Sequence, residues 1–254
     1  MKRKLTENLK RITGRIHEAC SRADRDPRSI TLVAVTKSAT LDVIRTLVGM
    51  GVADLGENRV QELTKRAAGV NEWLSRRIRN VSAGAMAKPN WHMVGRLQRN
   101  KVKALLPWVD MIHSVDSLRL AEEIDAQAAK IDRTVSILLE INVSSEPTKG
   151  GVAVAAATHL AEQITTLPHI NLRGLMAMAP LTDKESVIRG VFERVRELFD
   201  EVVSERTCGP AFKELSLGMS NDFEYAIEFG ATHVRIGSAL LKGIELSAEP
   251  APAS

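Results

Sequence analysis

Eight short apolar runs recur along the chain with helix-patterned segments between them, and this alternation restricts the fold more than any other feature. The runs are Ile30–Val35, Val52–Gly56, Asn90–Gly95, Met111–Val115, Val135–Asn142, Asn171–Met178, Glu214–Met219 and His233–Gly237. Helical periodicity begins near Leu41, Arg59, Gln98, Ser117, Val152, Lys184 and Asp222. Strict strand–helix alternation predicts a parallel sheet, because parallel neighbours need a crossover long enough to hold a helix. Eight such units predict an α/β protein, a single (β/α)8 TIM barrel, for which about 250 residues is ordinary; this chain has 254. An open doubly wound sheet is the alternative. It would carry a Gly-rich first turn, and Val35-Thr36-Lys37-Ser38-Ala39-Thr40 has none.

One domain is expected over residues 1–247, with an extra N-terminal helix over about residues 4–24. A Pro/Ala-rich tail, residues 248–254, is expected to be disordered. Residues 72–90 read as a long loop or insertion, Arg-rich at first and then rich in Ser, Gly and Ala before Lys88-Pro89. Asp116 is placed to cap the helix that follows it, and Asn221 with Glu224 resembles a capping box.

Composition narrows the function classes. Apolar residues make up 44% and charged residues 26%, which excludes a disordered chain. No apolar run approaches the roughly 18 residues of a membrane span, so no membrane partner is expected. Cys20 and Cys208 form no CxxC, so neither a disulfide framework nor a metal site is expected. A reduced, cytoplasmic protein follows. Residues 1–28 concentrate nine Lys and Arg against four Asp and Glu. Leu5, Leu9, Ile12, Ile16, Ala19 and Ala23 recur there at helical spacing, so the charges fall on the solvated face of an amphipathic helix. No aromatic residues interleave with them, and no nucleic-acid partner is expected.

Barrels carry their active sites at the C-terminal ends of the strands. The residues there include Lys37, Asn58, His113, Glu140, Met219, Ser220, Arg235, Gly237 and Ser238. The last two loops, Leu217-Gly218-Met219-Ser220-Asn221 and Arg235-Ile236-Gly237-Ser238-Ala239, each offer a Gly for close backbone approach and a Ser hydroxyl. Each is expected to lead into a helix N-terminus, and together they form a phosphate site. Strand alternation puts Arg235 and Gly237 on one face and Val234 and Ile236 on the other. Arg235 then either faces a ligand or pairs with a carboxylate such as Glu140. A lysine at the first strand end, desolvated beside another cation, can present a neutral amine to a carbonyl and form a Schiff base. A phosphate site with such a lysine leaves two ligand classes open, a phosphosugar or pyridoxal 5′-phosphate (PLP).

The stretches Leu32-Val33-Ala34-Val35-Thr36-Lys37, Gly56-Glu57-Asn58-Arg59-Val60-Gln61-Glu62, Trp91-His92-Met93-Val94-Gly95-Arg96-Leu97-Gln98-Arg99-Asn100-Lys101 and His113-Ser114-Val115-Asp116 form an ordered signature. It continues through Asn142-Val143-Ser144, Lys149-Gly150-Gly151, Leu172-Arg173-Gly174-Leu175-Met176, Leu215-Ser216-Leu217-Gly218-Met219-Ser220-Asn221-Asp222 and Val234-Arg235-Ile236-Gly237-Ser238. In these the chain resembles the PLP-homeostasis proteins. Those are single barrels similar to the N-terminal domain of alanine racemase and other fold-type III PLP enzymes. The resemblance runs from about residue 5 to 243.

It implies that Lys37 carries the Schiff base and that Ser220, Gly237 and Ser238 hold the phosphate with Met219 in the same loop. Arg235 would face the pyridine nitrogen and Asn58 would lie beside the cofactor. A cationic Arg there disfavours protonation of that nitrogen and makes the ring a weaker electron sink. Trp91, His92 and Gln98 belong to the signature, but their chemistry does not follow from the residues. Where many relatives have Ser-Lys-Thr and then Pro, this chain has Thr36-Lys37-Ser38-Ala39-Thr40.

Racemisation needs a base on each face of the substrate carbon. Related racemases take the second, a Tyr, from a separate β-domain. The one Tyr here, Tyr225, falls in the seventh βα helix region, and His92 and His113 are the other conceivable bases. The leading expectation is therefore a monomeric, non-enzymatic PLP carrier with no catalytic residue, delivering cofactor to PLP-dependent apo-enzymes. A weak amino-acid racemase and a Schiff-base aldolase-type phosphosugar enzyme are the alternatives.

Overall fold

A computed structural model describes residues 1–80, 87–143 and 150–245. The strands are β1 (Thr31–Val35), β2 (Asp54–Glu57), β3 (Asn90–Met93), β4 (Met111–Val115), β5 (Val135–Asn142), β6 (Val152–Ala153), β7 (Ile170–Ala177), β8 (Glu214–Ser216) and β9 (His233–Ile236). They pair in the order β4-β3-β2-β1-β9-β8-β7-β5, all parallel, and a β4–β5 pairing closes the ring. The two-residue β6 only borders β5, at Ile141 and Asn142. The fold is thus the eight-stranded (β/α)8 barrel that the alternation predicts.

Helices α2 (Leu41–Gly49), α3 (Val60–Asn80), α4 (Val102–Leu105), α5 (Leu118–Ala129), α6 (Val154–Thr165), α7 (Glu185–Glu205) and α8 (Phe223–Glu228) follow the strands. No α-helix among the described residues follows β9. Its place is taken by the N-terminal helix α1 (Lys2–Arg22), which packs against α8. Leu5, Ile12, Ile16, Ala19 and Cys20 of α1 are buried. Asn8 donates from Nδ2 to the carbonyls of Leu240 (2.8 Å) and Lys242 (2.9 Å) in the turn after β9. Arg15 and Arg22 pair with Glu224 and Glu228 of α8. Part of the N-terminal basic charge is therefore spent on the neighbouring helix.

Residues 72–80 correct the expected loop. They continue α3, which ends at Asn80. Glu72 and Arg76 pair at i,i+4 (2.5 Å), Leu74 is buried, and the Arg77 guanidinium lies over the Trp73 ring. The Arg-rich composition marks a solvated helix face here, not a loop. The rest of the expected insertion, residues 81–86, and the tail, residues 248–254, lie outside the described residues, as do Ser144 and Lys149. Two caps also differ. Ser117 takes the N-cap position of α5 and donates to Asp116 Oδ1 (3.2 Å), and Asp222 rather than Asn221 precedes α8. Glu224 is engaged by Arg15 instead of closing a capping box.

The main core lies between barrel and helices and includes Ile44, Leu55, Trp91, Ile112, Phe192 and Phe223. A separate apolar cluster, Met111, Leu138 and Met176, lies apart from it, on strand positions that alternation turns into the lumen. β7 gains its register by a bulge: Ile137 faces Leu172 and Leu138 faces Gly174, so Arg173 has no opposite residue. Gly174 sits at φ +154°, where a Cβ would lie 1.8 Å from the Glu214 carbonyl oxygen.

Candidate cofactor site

The C-terminal ends of the strands open into a cavity of about 600 Å³. Lys37, Asn58, Met219, Ser220, Arg235, Gly237 and Ser238 all line it. So does Tyr225, the one tyrosine, and so do residues that the sequence does not single out, among them Pro180, Leu181, Thr182 and Ile188. These come mainly from the segment after β7 and the start of α7, whose lengths and turn carry no phosphate or cofactor signal. His92, His113 and Gln98 are not on its wall. Trp91 is fully buried in the main core, which gives it a packing role.

Lys37 follows β1 and its side chain is exposed, so the desolvation expected of it is not present. Its backbone is held from below. Arg66 of α3 donates from Nη1 to the Thr36 carbonyl (2.6 Å) and from Nη2 to the Lys37 carbonyl (3.2 Å). The same guanidinium pairs with Glu57 at the end of β2 (2.5 Å), and the Thr36 hydroxyl donates to the same carboxylate oxygen (2.5 Å). Burial pushes the Glu57 carboxyl up from its ordinary value, against the pull of Arg66. This clamp was legible only in part. Glu57 lies in a signature stretch, whereas Arg66 reaches it from the second turn of the following helix.

Asn58 is half-buried where the chain leaves β2. Gly95 permits its position, because a Cβ there would come within 2.4 Å of the Asn58 carbonyl oxygen. Arg235 is 4% exposed and projects from β9 at the base of the cavity. It donates from Nη1 to the Ser216 carbonyl (2.7 Å) and hydroxyl (2.6 Å), and from Nη2 to the Ala177 carbonyl (3.0 Å). Among the described residues no carboxylate is within ion-pair distance of it, so the expected alternative of pairing with Glu140 does not hold. Burial lowers its pKa to about 10, with Asp222 and Glu140 opposing. Glu140 itself is pushed up by burial and by the neighbouring Asp116.

The two loops expected to hold an anion meet at Ser220. Its Oγ accepts the Ala239 N–H (3.2 Å), which leaves the hydroxyl hydrogen for another acceptor. Gly218 has φ +81°, and a Cβ there would lie 2.7 Å from both Phe223 Cα and Ala226 Cβ, so the loop lies flat on α8. Asp222 Oδ1 accepts the Met219 N–H (2.5 Å) and fixes the turn. The second loop departs from expectation. After Gly237 the chain makes one turn, with Leu240 and Leu241 both donating to the Gly237 carbonyl (3.0 Å each), and no helix N-terminus forms. The N–H groups of Gly237 and Ser238 donate to no other group among the described residues. An exposed amine, a buried cation lacking a counter-charge and a spare hydroxyl donor thus share one cavity. This donor set suits an aldehyde-bearing, phosphorylated ring.

A parallel barrel with an amine on the first strand end and anion donors on the last two defines a class. It is the class of the alanine racemase N-terminal domain, whose family description matches residues 7–244. Within it, the chain is 39% identical over 234 residues to the pyridoxal phosphate homeostasis protein of Aquifex aeolicus, covering 92% of this chain and 96% of that protein. It is 35% identical over 236 residues to the protein of the same name from Escherichia coli K12, covering 93% and 95%. The structure of PipY from Synechococcus elongatus with PLP bound superposes with a TM-score of 0.74 at 31% identity, covering 89% of this chain and 99% of that one. The chain belongs to the pyridoxal phosphate homeostasis protein family.

Proposed function

We propose that this protein binds PLP at the mouth of the barrel and serves its homeostasis in the cytoplasm, buffering the cofactor and delivering it to PLP-dependent apo-enzymes. The observation that carries the reading is the shared cavity of Lys37, Ser220 and Arg235. PLP supplies an aldehyde that condenses reversibly with an amine and releases water. Lys37 offers that amine from a backbone held by Arg66 and Glu57. Ser220, with the N–H groups of Gly237 and Ser238, receives the phosphate. Met219 forms the rim and Asn58 the side wall. Arg235, a donor only, turns toward the ring nitrogen and opposes its protonation. A carrier needs this reversible bond and an open mouth, and no second base. A single barrel is proposed as the working monomer.

The test is an absorbance spectrum before and after borohydride, with peptide mapping of the adduct. A visible imine band, with the reduced label on Lys37, supports the reading. No band after addition of PLP overturns it. Lys37→Ala abolishes the band but leaves residual PLP binding through the phosphate loops; an unchanged band in this variant excludes Lys37. A second reading, amino-acid racemisation, is favoured by one observation: Tyr225 lies on the same cavity wall as Lys37. Interconversion of L- and D-amino acids that is lost in both Lys37→Ala and Tyr225→Phe would favour it over the carrier.

A further inference from the structure

Below the cavity, a single file of hydrogen bonds runs through the barrel lumen. Arg235 Nη1 meets Ser216 Oγ at 2.6 Å, and Ser216 Oγ meets His113 Nδ1 at 2.8 Å. His113 Nε2 meets His92 Nδ1 at 2.8 Å, and His92 Nε2 meets Asp54 Oδ1 at 3.1 Å. The file draws on β9, β8, β4, β3 and β2. It ends at a partly exposed carboxylate on the first residue of β2, the floor end of that strand. Asn90 Nδ2 also donates to Asp54 Oδ1 (2.9 Å).

The chemistry of the two ends fixes every proton between them. A guanidinium only donates, so Ser216 Oγ accepts from Arg235 and turns its own hydrogen to His113 Nδ1. His113 then carries its proton on Nε2 and donates to His92 Nδ1. His92 carries its proton on Nε2 and donates to the Asp54 carboxylate. The opposite polarity would put a second proton on His92 and leave the buried Ser216 hydrogen without an acceptor. The groups facing His113 are Ser216, His92, His233 and Arg235, and those facing His92 are Asp54, His113 and His233. Burial and these cationic or titratable neighbours hold the His113 imidazole far below its ordinary value. Arg173 adds a further positive charge near His233. The three rings pack with centroids 5.1–6.1 Å apart, and among the described residues no set of three His, Cys, Asp or Glu is arranged to hold a metal ion.

We infer that Ser216, His113, His92 and Asp54 are positioning residues: as a one-way donor chain they fix the Arg235 guanidinium against the cofactor ring from the far end of the barrel. The inference rests on the proposed PLP site only in its last step, the effect on the ring. The chain aligns one face of the guanidinium on Ser216 and Ala177, so its remaining donors are presented to the cavity in one orientation. Neutrality of both imidazoles keeps Arg235 the one cation in that file.

Two measurements test it separately. The first is imidazole ¹⁵N correlation spectroscopy of the protein without added cofactor at neutral pH. Both His92 and His113 are expected as neutral Nε2–H tautomers. Ser216→Ala should mix the His113 tautomers. Asp54→Asn, which keeps an acceptor oxygen, should preserve both, whereas Asp54→Leu should release His92. A charged His92, or an Nδ1–H tautomer at His113, overturns the chain whether or not PLP binds. The second is the pH dependence of the ring-nitrogen signal with ¹⁵N-labelled PLP bound. Ser216→Ala and His92→Gln should both move its protonation to higher pH than in the wild type. His92 touches neither cavity nor guanidinium, so a purely structural role for it would lower stability without moving that signal. Intact tautomers with an unmoved ring signal in both variants overturn the positioning role. Failure of the wild-type protein to take up PLP would instead sink the proposed function and leave the tautomer result standing.

Discussion

Ser220 joins two loops with one oxygen. Its Oγ accepts from Ala239 and keeps a hydrogen to give, so removing it costs a loop tie and, in the proposed site, a donor to the phosphate. Ser220→Ala is expected to weaken PLP retention by about 1–3 kcal/mol, read as a rise in Kd by equilibrium dialysis. Glu57 is a different kind of residue. It is fully buried, its Oε1 serves Arg66 and Thr36, and its Oε2 has no hydrogen-bond partner among the described residues. Glu57→Ala removes the buried partner of Arg66 and leaves that nearly buried cation only its longer pair with the half-exposed Glu62 (3.4 Å), which is worth roughly 2–4 kcal/mol. The expected outcome is a fall of that order in urea-unfolding free energy. The mouth residues were readable in the sequence because alternation along a strand and its position in a barrel together specify which side chain faces the opening. Lys37, Arg235 and Gly237 follow from that alone. The lumen file was not readable. Each member is a single polar residue on a different strand, and only the register that sets Gly56 beside His92 and His92 beside Met111 brings them into line.

At the scale of elements, strand runs match the structure with ends shifted by at most three residues, the largest shift being β8, which stops at Ser216 instead of Met219, since apolar runs bounded by turns leave little freedom. β6 escaped notice because two residues carry no periodicity. The Arg and Ser content near the end of α3 imitates a loop in the sequence, although Glu72–Arg76 pairing and buried Leu74 sustain the helix. The β7 bulge depends on one residue. At φ +154° and 1.8 Å from a backbone oxygen, Gly174 admits no side chain. Gly174→Ala should therefore separate β7 from β8 locally and destabilise the fold by more than the roughly 1 kcal/mol of an ordinary glycine substitution, as thermal unfolding would show. In α1, Ile12 is fully buried, and Ile12→Ala should cost about 2–5 kcal/mol by the same measurement.

The molecule as a whole has an acid-sensitive lumen. Burial and the neighbouring His92 hold His233 at about 4, against an ordinary 6.5, and burial also holds His113 well below its ordinary value. Both are neutral in the folded protein. Below about pH 6.5 the unfolded chain takes up protons that the folded chain refuses. Stability is therefore level above that pH and falls as the pH drops from about 6.5 towards 4. For His233 alone the loss approaches about 3 kcal/mol. Chemical denaturation across that range should show the slope, and His233→Gln should flatten it.

The ring of helices has a seam of an unusual kind. Its eighth member, α1, precedes every strand, and its Asn8 reaches across 232 residues of sequence to the turn after β9. A nascent chain makes this helix before any strand of the barrel and can dock it only once α8 and the turn after β9 have appeared. The outer wall is thus completed by waiting, and the earliest segment holds an uncovered apolar stripe until then. Moving α1 to follow β9 by circular permutation would give a chain in which every helix follows its own strand. That permutant should reach the same fold, with the same unfolding free energy to within the cost of its linker; its last helix would dock on the adjacent α8, and only the closure of β9 on β1 would still span the chain.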